Sequence, residues 1–227
     1  MTSSFRSRPG APVLAMPTLA LLLASLLSAC GGSHDDAPAT PPAPLVKVTE
    51  LSAGAYAVSA GDAADPTAGK YYAAADGSRL LVLNNNAQRA SATYRRDANG
   101  AWQRSPEAKA DSALDLLHSS AIPARTLAIA PLARSYAVRL DNGNVALFAL
   151  GADGGIAAGG SACKLSGKLT ASSLPNALKL SLAASGCGDL PAQSEGLLIA
   201  DDDYAPAAFR LITSGGGGPV DLWAYPE

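Results

Sequence analysis

The sequence predicts an all-β, antiparallel protein, a β-barrel or β-sandwich built of hairpins with one short helix. Three observations carry that expectation. Short apolar runs recur from residue 45 to residue 227, turn-forming residues cut them at regular spacing, and several runs alternate apolar with polar side chains. Alternation with a period of two is the pattern of a strand that buries one face, and evenly spaced short strands are the pattern of a sandwich or barrel.

Taken in order, residues 70–75 and 79–83 flank Asp76 and Gly77, and residues 90–95 and Trp102 flank Asn99 and Gly100. Residues 135–150 give the sharpest signal. There Tyr136, Val138 and Leu140 alternate with Ala137 and Arg139, and Asp141, Asn142, Gly143 and Asn144 tolerate the backbone of a tight turn before the apolar run resumes. A last hairpin joins residues 209–213 to 220–225 through four glycines. One helix is expected over residues 106–119, where Ser105 and Pro106 offer a cap and first turn and Ala110, Ala113, Leu114 and Leu117 share a helical face. The chain from 45 to 227 reads as one β-rich globular domain, or as two similar halves joined near residues 123–131. A weak internal likeness relates Gly69, Asp76, Arg79 and Leu80 to Gly196, Asp201, Arg210 and Leu211.

The first residues follow a different logic. Arg6 and Arg8 precede an uncharged stretch, residues 10–29, whose apolar part from 13 to 27 is shorter than the roughly 20 residues of a spanning helix. Leu27, Ser28, Ala29 and Cys30 then stand where the apolar stretch ends. This motif resembles the lipobox of bacterial lipoproteins. The resemblance implies a signal peptide over residues 1–29, cleavage before Cys30, acylation of Cys30, and anchoring in the cell envelope. Gly31 after the cysteine resembles lipoproteins sorted to the outer membrane. Residues 30–44 carry four prolines and no large apolar side chain, the composition of a tether able to hold a domain about 40 Å from the membrane when extended. Loss of Arg6 and Arg8 leaves 15 Lys and Arg against 19 Asp and Glu, a net charge of −4. That balance offers no footprint for nucleic acid.

With Cys30 assigned to the anchor, Cys163 and Cys187 remain as one pair in an oxidising compartment. Cys163, Leu165 and Leu169 share a strand face, Leu178, Leu180 and Leu182 share another, and residues 172–176 form the turn between them. The cysteines are about equidistant from that turn and are expected to bond across the hairpin. Parity objects, because Cys187 is odd-numbered among even-numbered leucines; a β-bulge just before Cys187, absorbed by Gly186, is expected to restore it to the buried face.

Catalytic equipment is sparse. His118 is the single histidine beyond the tether, with Asp115 three residues before it, and no Gly-x-Ser-x-Gly elbow occurs. Asp201, Asp202 and Asp203 lack the alternating ligands of a calcium loop and read as a solvated turn, so neither a metal nor a cofactor is expected. Tyr71, Tyr72, Tyr94, Trp102, Tyr136, Tyr204, Trp223 and Tyr225 are either core residues or a recognition surface. The residues therefore favour a non-enzymatic binding or structural role, with a protein, glycan or small apolar ligand as partner and the lipid anchor as membrane contact. The rival is an envelope hydrolase assembled from distant carboxylates, or from a serine with His118.

Overall fold

The computed structural model describes residues 42–227. The leader, Cys30 and the tether as far as residue 41 lie outside the described residues. The first half of the described chain is β1 (Val46–Val48), β2 (Gly54–Asp62), β3 (Asp65–Ala73), β4 (Arg79–Asn84), β5 (Ala90–Arg96), β6 (Gln103–Ser105), β7 (Ser112–Leu114) and β8 (Leu116–Ile122). The second half is β9 (Arg134–Arg139), β10 (Val145–Leu150), β11 (Gly155–Ala158), β12 (Lys164–Ala171), β13 (Ala177–Ser185), β14 (Gln193–Ile199), β15 (Phe209–Gly215) and β16 (Gly218–Pro226). Each of the four turn signals read from the sequence falls between two of these strands.

Strands β9 to β16 follow one another around a closed antiparallel barrel, which β16 completes by pairing with β9. Alternation decides which side chains go inside. Tyr136, Val138, Phe148, Leu165, Leu169, Leu178, Leu180, Phe209, Leu211 and Leu222 form one buried cluster there. Eight strands enclose an interior just wide enough for side chains to fill, and these residues fill it.

The first half forms a six-stranded antiparallel sheet in the order β6-β5-β4-β3-β2-β8, with β1 and β7 pairing in parallel beside it. Both faces of this sheet are covered. Tyr71, Leu81, Tyr94 and Trp102 point to one side and meet Val46 and Val48 of β1, whereas Tyr72, Leu80 and Val82 point to the other and meet Leu197, Ile199 and Ile212 on the outside of the barrel. Coverage on both faces explains why β4 reads Leu-Leu-Val-Leu without alternation. The two segments that resemble each other weakly lie on β3–β4 and β14–β15, which meet across this junction.

The helix expected over residues 106–119 is absent. Among the described residues the helical turns are two 3-10 turns, Ala130–Leu132 and Asp202–Tyr204. Leu114 and Leu116 both pack on the Tyr71 cluster, a period of two, while Leu117 is 46% exposed. The apolar spacing satisfied a helix on paper, but β1 and β2 supplied backbone partners and set the strand period instead.

Cys163 and Cys187 are bonded, with Cα atoms 4.5 Å apart, and both are buried in the barrel cluster. The turn between β12 and β13 is residues 172–176, as expected. The expected bulge is corrected. The ladder stays regular to its last pair, Lys164 with Ser185, and the strand ends there. Gly186 then takes a left-handed backbone, φ +68°, which turns the chain so that Cys187 reaches Cys163 from beyond the ladder. A strand end thus solves the parity problem that a bulge was expected to solve.

The bond closes a loop with a sequence separation of 24, which in the chain-entropy model stabilises by about 3–4 kcal/mol. Replacing both cysteines with serine should lower the urea midpoint without altering the far-ultraviolet circular dichroism. An unchanged midpoint would show that the bond contributes nothing to stability.

Candidate functional site

Polar side chains inside the described residues converge where the sheet meets the barrel wall. Arg210 of β15 is fully buried and donates from Nε and Nη2 to the Asp221 carboxylate of β16, at 3.0 and 2.6 Å. Asp221 also accepts from the Trp223 indole at 3.2 Å and from the backbone N–H of Ala90, in β5 of the sheet, at 2.8 Å. Arg210 donates across the junction as well, to Asn84 Oδ1 at 3.1 Å. Its Nη1 has no hydrogen-bond partner, but the guanidinium lies over the Trp223 and Tyr204 rings, 4.6 and 5.5 Å from their centroids.

A second carboxylate works in the same place. Asp201 is buried and accepts from the Tyr72 hydroxyl and, at 2.5 Å, from Asn176 Nδ2. Asn176 has φ +58°, a conformation that asparagine tolerates better than most residues. From it the side chain also donates to the Pro123 carbonyl and accepts from the Arg125 N–H, which fastens the linker between the two halves. Burial pushes the Tyr72 phenol well above its ordinary value, with Tyr204 and Asp201 adding to the rise. Burial likewise pushes Tyr204 up to about 12, although the nearby Arg210 charge opposes it. These phenols keep their protons and donate hydrogen bonds. The network holds the fold; its carboxylates are already engaged.

Beside this network runs an open cleft. Its inner part, about 160 Å³, has Leu80 of the sheet and Leu197 and Ile212 of the barrel as apolar walls, with Thr93, Arg95 and Glu195 as polar ones. A larger outer part, about 820 Å³, shares Gln103, Arg104, Ser105 and Ser214 with the inner part and continues past Trp102 and Lys109 to the glycines of the β15–β16 turn. Gly196 lets β14 and β15 approach at the cleft wall, because a Cβ there would lie 2.1 Å from the Ile212 carbonyl oxygen. At Gly216 and Gly217 a Cβ would meet nothing within 4 Å, so bare backbone borders the opening.

Arg104 occupies a singular position in this cleft. It is half-buried, its Nε donates to the Tyr94 hydroxyl at 3.1 Å, and its guanidinium lies 5.8 Å from the Tyr94 ring centroid. No carboxylate among the described residues pairs with it, in contrast to Arg79, Arg95, Arg96, Arg125 and Arg210.

The residues singled out from the sequence do not gather here. His118 sits exposed on β8, opposite Ser59 in the ladder, and not at a helix end. Asp115 accepts from the Thr49 hydroxyl at 3.3 Å. Asp201 is not solvated, as the acidic turn had implied, while Asp202 and Asp203 form ion pairs with Arg125 and Lys70, both at 2.7 Å. Of the aromatic candidates, Tyr71, Tyr72, Tyr94, Trp102, Tyr136 and Tyr204 are core residues, and Tyr225 is 40% exposed. Sequence reading missed Arg210, Asp221, Asn176 and Arg104. The first two left a signal, a charge inside each of the apolar runs Phe-Arg-Leu-Ile and Val-Asp-Leu-Trp. Asn176 and Arg104 left none, since a turn asparagine and a strand arginine are ordinary in surface positions.

Removing one member of a buried ion pair strands the other, at a cost of about 3–5 kcal/mol. Asp221→Asn should therefore lower Tm by on the order of 10 °C; a loss under 2 °C would place the stability elsewhere. Alkaline pH should act through the tyrosines. An unfolded phenol ionises near pH 10, whereas Tyr204 in the fold holds its proton to about 12. In that window the unfolded state releases protons that the native state keeps, so stability is full below pH about 10 and falls as pH rises through 12. Urea midpoints measured across this range should fall, and Tyr204→Phe should flatten the decline.

Neither a scan against protein-family models nor searches of curated proteins and of solved structures found a match to this chain.

Proposed function

We propose that this chain is an envelope lipoprotein, anchored through Cys30, that presents a binding domain whose partner docks in the cleft between sheet and barrel. The observation that carries the binding part is the cleft itself. It is walled by two elements that share a buried polar network, is apolar at its base and polar at its sides, and contains a half-buried arginine that pairs with no carboxylate among the described residues. Ligand sites characteristically combine an apolar surface with a few convergent polar groups. The lipobox-like run at residues 27–30 supports the address.

A small apolar ligand inside the barrel is the weaker form of this reading, because side chains occupy the barrel core. A protein segment or glycan in the cleft suits the open, mixed surface better. The hydrolase reading gains little from the structure. Two carboxylates that line the cleft, Glu195 and Glu107, are exposed, and the buried Asp201 and Asp221 already accept hydrogen bonds that hold the fold.

Cys30→Ser should leave uncleaved precursor and abolish incorporation of labelled fatty acid; undiminished labelling would refute the anchor. The purified protein should fail to turn over ester, peptide and glycan substrates. Turnover that disappears in His118→Ala would replace the binding reading with the hydrolase one.

A further inference from the structure

We propose that Arg104 is an anion-receiving centre of the cleft and that the bound ligand presents an oxyanion, a carboxylate or phosphate group, to it; this rests on the cleft being a binding site.

Burying charge is costly. A guanidinium taken partly out of water is ordinarily met by a carboxylate, because unpaired burial is unfavourable. Arg79, Arg89, Arg96 and Arg210 obey this rule. Arg104 is half-buried without such a partner among the described residues, and its one hydrogen bond there goes to the neutral Tyr94 hydroxyl.

That bond also has a geometric consequence. It uses Nε, and the guanidinium plane rests near the Tyr94 ring, while neither terminal nitrogen has a protein acceptor among the described residues. A fork with both tips free and its plane already restrained is the arrangement that accepts a carboxylate or phosphate through two parallel hydrogen bonds. Little side-chain entropy is then left to lose on binding.

Lys109 adds a positive charge along the same cleft, Arg95 is already paired with Asp97, and Gly216 and Gly217 leave backbone bare at the cleft mouth. Glu107 and Glu195 also line it, are exposed, and pair with neither Arg104 nor Lys109. With about 820 Å³ in the outer part, the cleft has room for a ligand larger than a single ion. An acidic oligosaccharide and the phosphate headgroup of a lipid share the required chemistry, and the test separates them.

The lipidated full-length protein in neutral detergent would be titrated calorimetrically with trigalacturonate, glycerol phosphate, inorganic phosphate and, as an uncharged control, maltotriose. Trigalacturonate binding points to an acidic glycan and glycerol phosphate binding to a lipid headgroup; either should weaken as salt is raised. Arg104→Gln should reduce that affinity by at least about tenfold, consistent with the strength of hydrogen bonds to charged groups, and Arg104→Lys should recover part of it. Arg139→Gln, at an exposed barrel arginine, should leave it unchanged, and all variants should keep the parent circular dichroism. The proposal is overturned if none of the anions binds, or if Arg104→Gln and Arg139→Gln weaken binding equally. It is also overturned if maltotriose binds and Arg104→Gln is without effect, a result that would leave the cleft a binding site and remove only its anion preference. Turnover dependent on His118 would instead defeat the binding reading itself.

Discussion

The Asp221 carboxylate is the point on which the rest of this structure depends. It gathers the Arg210 guanidinium, the Trp223 indole and the Ala90 backbone N–H, so one side chain joins two barrel strands to the sheet. Apolar contacts between Leu80, Val82 and Leu197, Ile212 would hold the two surfaces together in many relative positions, since the hydrophobic effect has no direction. Hydrogen bonds to a buried charge do have direction. A shift of the sheet along the barrel would take the Ala90 N–H from Asp221 and the Asn84 side chain from Arg210 without returning water to either, and that penalty selects one arrangement.

Asp201 and Asn176 repeat the device at the linker. The Asn176 side chain bonds Pro123, Arg125 and Asp201 together, and Tyr72 reaches the same carboxylate from β3. Two buried acids thus fix both the junction and the segment that leads into the barrel. The cleft is a by-product of that rigidity. The gap opens where β5 and β6 pass β14 and β15. Because its walls do not move independently, the cleft offers a preformed surface and not one that a ligand must assemble.

Much of the fold was legible in residue patterns, for a local reason. Strand alternation, turn residues such as Asp76-Gly77 and the Asp-Asn-Gly-Asn run at 141–144, and the spacing of Cys163 and Cys187 all act over a few residues or within one hairpin. The region 106–119 was misread because its apolar spacing suited a helix and a strand alike, and the tie was broken by β1 and β2, which lie some sixty residues away in sequence. The acidic run at 201–203 was misread for a kindred reason. Three aspartates in a row signal solvent by composition, and nothing nearby in sequence announces that Tyr72 and Asn176 will bury one of them.

The all-β class, the hairpins and their turns, the Cys163–Cys187 bond and the lipobox-like run that ends at Cys30 can be read from the residues alone, because each rests on short-range periodicity, spacing or a contiguous motif. That the second half closes as a barrel while the first stays an open sheet laid against it emerges only in three dimensions. So does the contrast between Arg210, buried and neutralised, and Arg104, half-buried and left without a carboxylate among the described residues. Each arginine bonds to the neighbouring strand, Arg210 to Asp221 and Arg104 to Tyr94, and the difference comes from coverage: the distant sheet closes over Arg210, whereas Arg104 lies on the edge strand β6 beside the cleft.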